Sequence, residues 1–313
     1  MNIVGLDSLV FGVDDVAACC QYMTDYGLMP EGVDKTGGLF KAKDGTSVEI
    51  RSRDDGSLPA PLETGAMIRK TIYGVADEDT LVSIKAELSS DREVKTLADG
   101  SLESIDDMGF AIGFRVTVRQ ALDIAVGELS NVPGARSTRP VNHTAVCEES
   151  AAQPVVPTTL SHVVYFVPDR DKMEAFYRDR LGFRVVDRFS NLGPFMRPQG
   201  LSDHHSLFFI QTPPFMKGVE HFTFHVSGPT ELLRAGKRFQ DLGYESFWGP
   251  GRHIFGSNWF WYFNSPLGVH VEYDADMDLH DDSWEPRVVE ANADRSQIFH
   301  FNLAPNFQPG GPS

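Results

Sequence analysis

The chain has 313 residues, 41% of them hydrophobic and 23% charged, with a formal charge of −16. Such a composition describes a soluble globular protein large enough for two ordinary domains. Its acidic balance argues against nucleic acid or an anionic membrane surface as partner, because both are bound chiefly through basic faces.

No apolar run approaches the ~18 residues that a spanning helix needs. The opening stretch, MNIVGLDSLVFGV, lacks a basic leader and reads as a strand. Cys19, Cys20 and Cys147 form no CxxC pair, which fits a reduced, cytoplasmic setting.

In chain order, residues 5–31 give a short alternating strand, an acidic turn and a helix closed by Tyr-Gly-Leu, where glycine suits a left-handed residue just past the helix end. LFKAKDGTSVEI follows as short β-like runs. AMIRKTIYGVADEDTLVSIKAEL opens a second strand–helix unit. A stretch rich in Pro, Ser and Thr then spans about residues 136–158.

After it the pattern repeats. Residues 160–186, LSHVVYFVPDRDKMEAFYRDRLGFRVV, align with 5–31, and VEHFTFHVSGPTELLRAGKRFQDLGY parallels the second unit. SLFFIQ, WFWYFNS and VHVEYD supply the later strands. The repeats predict an α+β fold of four βαβββ modules, starting near residues 3, 66, 158 and 218. The modules pair into two domains, each an incomplete β-barrel flanked by helices. The expected boundaries are an N-terminal domain over 1–135, a linker over 136–157, a C-terminal domain over 158–290 and a tail over 291–313. Trp284 and Phe299 are candidate anchors for the tail.

Three residues stand on inward-facing strand positions of the second half: His162 in LSHVVYFV, His221 in VEHFTFHV and Glu272 in GVHVEYD. Two imidazoles and a carboxylate form the ligand set expected of a non-haem Fe(II) oxygenase. A single strand histidine is more often a hydrogen-bonded core residue, but a buried glutamate without a partner carries a heavy desolvation cost that a shared dication would relieve. The first half offers a control, because Ser8, Lys70 and Gly113 occupy the aligned positions. Lysine repels a dication and glycine donates nothing, so the first half keeps the scaffold and lacks the site.

Around the triplet lie His204-His205, His253, Tyr262 and the aromatics Phe215, Trp248, Phe255 and Phe260. Each has a plainer alternative: a solvated turn beside Asp203 for the histidine pair, a satisfied core tyrosine, packing for the aromatics. Arg252 could meet a substrate carboxylate or simply be solvated.

Taken together, first-strand His162, HHS at 204–206, EHFTFHV, GRH at 251–253, Tyr262 and PLGVHVEY at 266–273 resemble type I extradiol ring-cleavage dioxygenases of the vicinal oxygen chelate superfamily. The resemblance implies that His162, His221 and Glu272 hold Fe(II), or less often Mn(II). It implies that His205 is the acid–base catalyst and that His253 and Tyr262 contact the substrate hydroxyls. The implied reaction inserts both atoms of O2 into a catechol-type aromatic diol, with meta cleavage to a 2-hydroxy-6-oxo dienoate-type product. A homo-oligomer is also implied.

One departure is Gly256, where the family often has Asp; Asn258 could take over its polar contacts. The competing expectations are hydroquinone cleavage, an isomerase, epimerase or thiol transferase on the same scaffold, and a non-catalytic binding module.

Overall fold

The computed structural model describes residues 1–124, 134, 139–146, 153–292 and 295–301. The first module comprises β1 (Ile3–Val13), α1 (Val16–Tyr26), β2 (Met29–Asp34), β3 (Gly37–Lys41) and β4 (Ser47–Ser52). The second comprises β5 (Ile68–Val75), α2 (Glu78–Leu88), β6 (Lys95–Thr96), β7 (Leu102–Ile105) and β8 (Ala111–Val116). The third comprises β9 (Thr159–Val167), α3 (Arg170–Ala175), β10 (Arg184–Phe189), β11 (Gly193–Arg197) and β12 (Leu207–Gln211). The fourth comprises β13 (Gly218–His225), α4 (Pro229–Asp241), β14 (Ser246–His253), β15 (Trp259–Asn264) and β16 (His270–Ala275). Two short strands follow, β17 (Arg287–Val289) and β18 (Gln297–His300).

Local chemistry sets the helix ends. Asp15, Asp77 and Asp169 each accept a backbone N–H two or three residues into the helix they precede. Gly27 closes α1 at φ +109°, and a Cβ there would lie 2.3 Å from the Val155 carbonyl oxygen. Only glycine fits that end.

The strands form two open sheets, ordered β2-β3-β4-β1-β5-β8-β7-β6 and β17-β10-β11-β12-β9-β13-β16-β15-β14-β18. In each half the first strands of its two modules pair antiparallel, and each module's first and last strands pair parallel. This is the expected four-module α+β architecture, with neither sheet closed into a barrel.

The register upholds the internal alignment. Ser8 lies across from Ile72, which faces Gly113; His162 lies across from Thr223, which faces Glu272. Lys70 faces Val10 as His221 faces Val164. At the position of Lys70 an ion pair to Glu103 forms at 2.9 Å.

One apolar core runs through both halves, with Phe11 5.5 Å from Phe222 and Tyr26 stacked on Tyr273 at 4.0 Å. Cys19 and Cys20 are buried in α1, while Cys147 lies outside the described residues. No helix among the described residues is long and apolar enough to cross a membrane.

We propose that the two sheets mark two domains, 1–135 and 158–290, separated by 136–157. Part of that linker and part of the tail lie outside the described residues. After β16, Trp284 donates to the Val186 carbonyl at 3.0 Å, and in the tail Phe299 packs against Trp259 at 5.3 Å. β17 pairs with β10 and β18 with β14, so the chain after β16 adds a strand at each edge of the second sheet.

Candidate metal centre and its cavity

Three adjacent strands, β9, β13 and β16, bring His162, His221 and Glu272 together. All three are buried, Glu272 completely. The two Nε2 atoms stand 3.3 Å apart, and Glu272 Oε2 lies 3.1 Å from His162 Nε2 and 3.5 Å from His221 Nε2. Donor atoms about 2.1 Å from a common centre stand about 3.0–3.4 Å apart at octahedral to tetrahedral angles. Glu272 Oε1 has no hydrogen-bond partner despite its burial. An orphan carboxylate oxygen beside two imidazoles is costly without a cation. The donor set therefore fits a divalent metal.

The distal nitrogens are held from behind. Ser161 Oγ lies 3.0 Å from His162 Nδ1, and the Glu220 carboxylate accepts from His221 Nδ1. Both contacts leave Nε2 for the centre. Thr223 fills the space between, its hydroxyl donating to Glu272 Oε2 and standing 2.9 Å from His162 Nε2. Burial lowers the His162 pKa, so this imidazole is neutral, as a ligand must be. Burial opposes the charge on Glu272 and His221 too. It is outweighed at Glu272 by the adjacent His162 imidazole, beside which that carboxyl lies below its usual range, and at His221 by Glu220, which raises it.

The triplet borders a cavity of about 260 Å³. Phe189, Leu192, Phe195, Phe208, Ile210 and Phe255 form its apolar end; His205, His253, Tyr262 and Asn258 supply polar groups. Trp248 and Phe255 line the pocket. Phe260 is buried behind His253, its ring 4.1 Å away. Phe215 is 77% exposed on a 3-10 turn and takes no part. Arg252 pairs with Asp276 at 2.8 Å and does not face the cavity.

His204 and His205 are buried, so the solvated-turn reading falls. His204 Nε2 lies 2.8 Å from Asp187 Oδ2, and its Nδ1 lies 2.9 Å from His205 Nδ1. Asp187, fully buried, also accepts from the Arg287 backbone N–H and guanidinium. A carboxylate only accepts, so His204 donates from Nε2; in its neutral form its Nδ1 then receives the Nδ1–H of His205. That tautomer leaves His205 Nε2 as a free acceptor beside the cavity. Burial, and then the neighbouring imidazoles of His162 and His204, keep His205 far below its ordinary pKa.

His253 Nδ1 donates to the Ser296 carbonyl at 3.0 Å, leaving Nε2 3.2 Å from the Tyr262 hydroxyl. Burial and then the Glu272 charge keep Tyr262 protonated. Asn258, beside Gly256 in the cavity lining, is buried and donates to Asp274 at 3.3 Å.

Sequence reasoning missed Asp187, Glu220 and Ser161. Their strand positions look ordinary, and only three-dimensional pairing puts them behind the site histidines.

Residues 159–273 match the sequence profile of the Glyoxalase/Bleomycin resistance protein/Dioxygenase superfamily. The chain is 37% identical over 129 residues to metapyrocatechase 2 of Cupriavidus necator, covering 41% of this chain but only 40% of that protein. It is 28% identical over 298 residues to biphenyl-2,3-diol 1,2-dioxygenase of Paraburkholderia xenovorans (strain LB400), covering 91% of each. Its fold superposes on the Mn(II)-bound glyoxalase from Novosphingobium aromaticivorans with a TM-score of 0.73 and 20% identity, over 99% of this chain and 97% of the other.

Proposed function

We propose that this chain, whose segment 159–273 is a domain of the glyoxalase/bleomycin resistance protein/dioxygenase superfamily, is an extradiol dioxygenase that cleaves a catechol-type diol beside the bond between its hydroxyl-bearing carbons. The observation that carries the reading is the convergence of two imidazoles and an unpartnered carboxylate oxygen beside an aromatic-walled cavity that also holds a neutral histidine. The relatives named for diol and catechol cleavage support it.

His162, His221 and Glu272 would hold the metal, Fe(II) with Mn(II) as the alternative. When bound, it supplies a redox-active template on which triplet O2 and a singlet diolate can react.

The chain's own groups do the rest. The aromatic walls take the ring and any apolar substituent and exclude bulk water. Tyr262 O–H and His253 Nε2 orient the substrate oxygens. His205 Nε2, bared by the relay through His204 and Asp187, accepts a hydroxyl proton and later returns it to oxygen as the ring opens. Such transfer typically contributes ~10²–10⁴ in rate. The product would be a 2-hydroxy-6-oxo dienoate-type compound. Homo-oligomeric assembly and a cytoplasmic location belong to the same proposal.

The test is anaerobic reconstitution with Fe(II), then O2 uptake with a panel of catechols. A coloured ring-opened product with matching O2 consumption is expected, and its absence across the panel would overturn the assignment. His221→Ala should lose metal while its circular dichroism stays unchanged; normal metal content in that variant would remove His221 from the ligand set.

A further inference from the structure

Glu220 precedes His221 on β13, and strict alternation would send the two side chains to opposite faces. They share one. Pairing of β13 with β9 slips between Val219 and His221, which leaves Glu220 as the extra residue of a β-bulge. Glu220 and His221 consequently border the same cavity.

The first half has the same slip. Val10 faces Lys70 and Phe11 faces Ile68, so Arg69 is the bulged residue there. Its guanidinium is spent on the carbonyls of Pro59 and Arg53, each at 2.8 Å. The bulge is therefore common scaffold, whereas a carboxylate on it occurs only in the half that carries the histidine–histidine–glutamate triplet.

Both Glu220 oxygens are committed. One accepts the Nδ1–H of His221, and the other lies 2.7 Å from Nδ1 of His270. His270 in turn is stacked on Phe247, with rings 3.7 Å apart and 10° from parallel. The chain Phe247–His270–Glu220–His221 thus runs from the rim to the ligand atom.

We propose that Glu220 is a positioning residue for the metal centre: it fixes the His221 ring with Nδ1 protonated, bares Nε2 and makes it a better donor, while His270 anchors its second oxygen. The inference rests on the metal reading above. Partners of this kind behind a ligating histidine typically change metal affinity ten- to a hundredfold when removed.

The test titrates the chelator-stripped full chain with Fe(II) under anaerobic conditions and with Co(II) followed by its visible absorption. Wild type, Glu220→Gln, Glu220→Asp, His270→Ala and His221→Ala are compared, each with a melting curve of the metal-free chain. Glu220→Gln should raise the dissociation constant about ten- to a hundredfold and shift the Co(II) spectrum, with the metal-free melting curve unmoved. Glu220→Asp should recover part of the loss, and His270→Ala should lose less than Glu220→Gln.

Wild-type affinity and an unchanged Co(II) spectrum in Glu220→Gln would overturn the inference and leave the metal reading standing, provided His221→Ala binds neither ion. A wild type that binds neither ion would overturn both. If Glu220→Gln fails to fold, Glu220→Asp decides: unaltered affinity there, together with unaltered affinity in His270→Ala, also overturns the inference.

Discussion

Single side chains carry most of the chemistry. His205 is held by a buried relay that ends at Asp187 and Arg287, and under the proposed function its Nε2 would be the atom that moves a proton. His205→Gln should lower kcat by about 10²–10⁴-fold while anaerobic binding of 4-nitrocatechol persists; an unchanged kcat would exclude the role. A second residue prediction concerns stability. Asp106 is fully buried in the first half, accepts backbone N–H groups from Met108 and Phe110, and is pushed up to about 7, chiefly by burial. The folded state therefore keeps a proton that the unfolded chain sheds above pH ~4, so this group's contribution falls as pH rises from about 4 to about 7. Asp106→Asn should be more stable than wild type at pH 8 in chemical denaturation, by up to a few kcal/mol, and the gap should close near pH 4; a pH-independent difference would refute it. Strand alternation pointed to one shared face for His162, His221 and Glu272, and the structure brings their donor atoms together; His205, His253 and Tyr262 were singled out by the family resemblance, His205 lying outside any strand. Asp187 was not readable, since its tie to His204 joins residues 17 apart across the sheet.

Among the elements, α4 shows how packing overrides propensity. Gly236 lies inside it, and replacing a mid-helix glycine with alanine ordinarily gains ~1 kcal/mol. Here an added Cβ would stand 2.0 Å from a ring carbon of the buried Trp261, whose indole N–H is fixed to Ser246 at 2.8 Å. The clash should win: Gly236→Ala is expected to destabilise by ~1–3 kcal/mol in chemical denaturation, and a stabilised variant would show that Trp261 can move. The four-module order, the strand–helix units and the glycine closing α1 were all legible in the repeat. The bulge at Glu220 was not, because a one-residue slip leaves no mark in hydrophobic periodicity. The two added edge strands also escaped notice, their short sequences resembling polar tail.

For the molecule as a whole, the first half is a support for the second. Tyr26, on α1, donates to the backbone carbonyl of Glu272 at 2.6 Å, and Tyr273 donates back to the Tyr26 carbonyl at 2.6 Å. With a continuous core between them, both halves should unfold in one transition. Tyr26→Phe should lower stability by about 1–2 kcal/mol without splitting that transition; two resolved transitions would show the halves to be independent.

The ion pair of Lys70 with Glu103 has a bearing on demetallation. Lys70 occupies the register position of His221, and Glu103, across from Gly113, that of Tyr262 across from Glu272. The first sheet thus carries its positive charge on a covalent stem, which no chelator can extract. Sequestering agents should slacken one sheet and spare its sibling: deuterium uptake after such treatment would climb in β13 and β16 and stay level in β5 and β8.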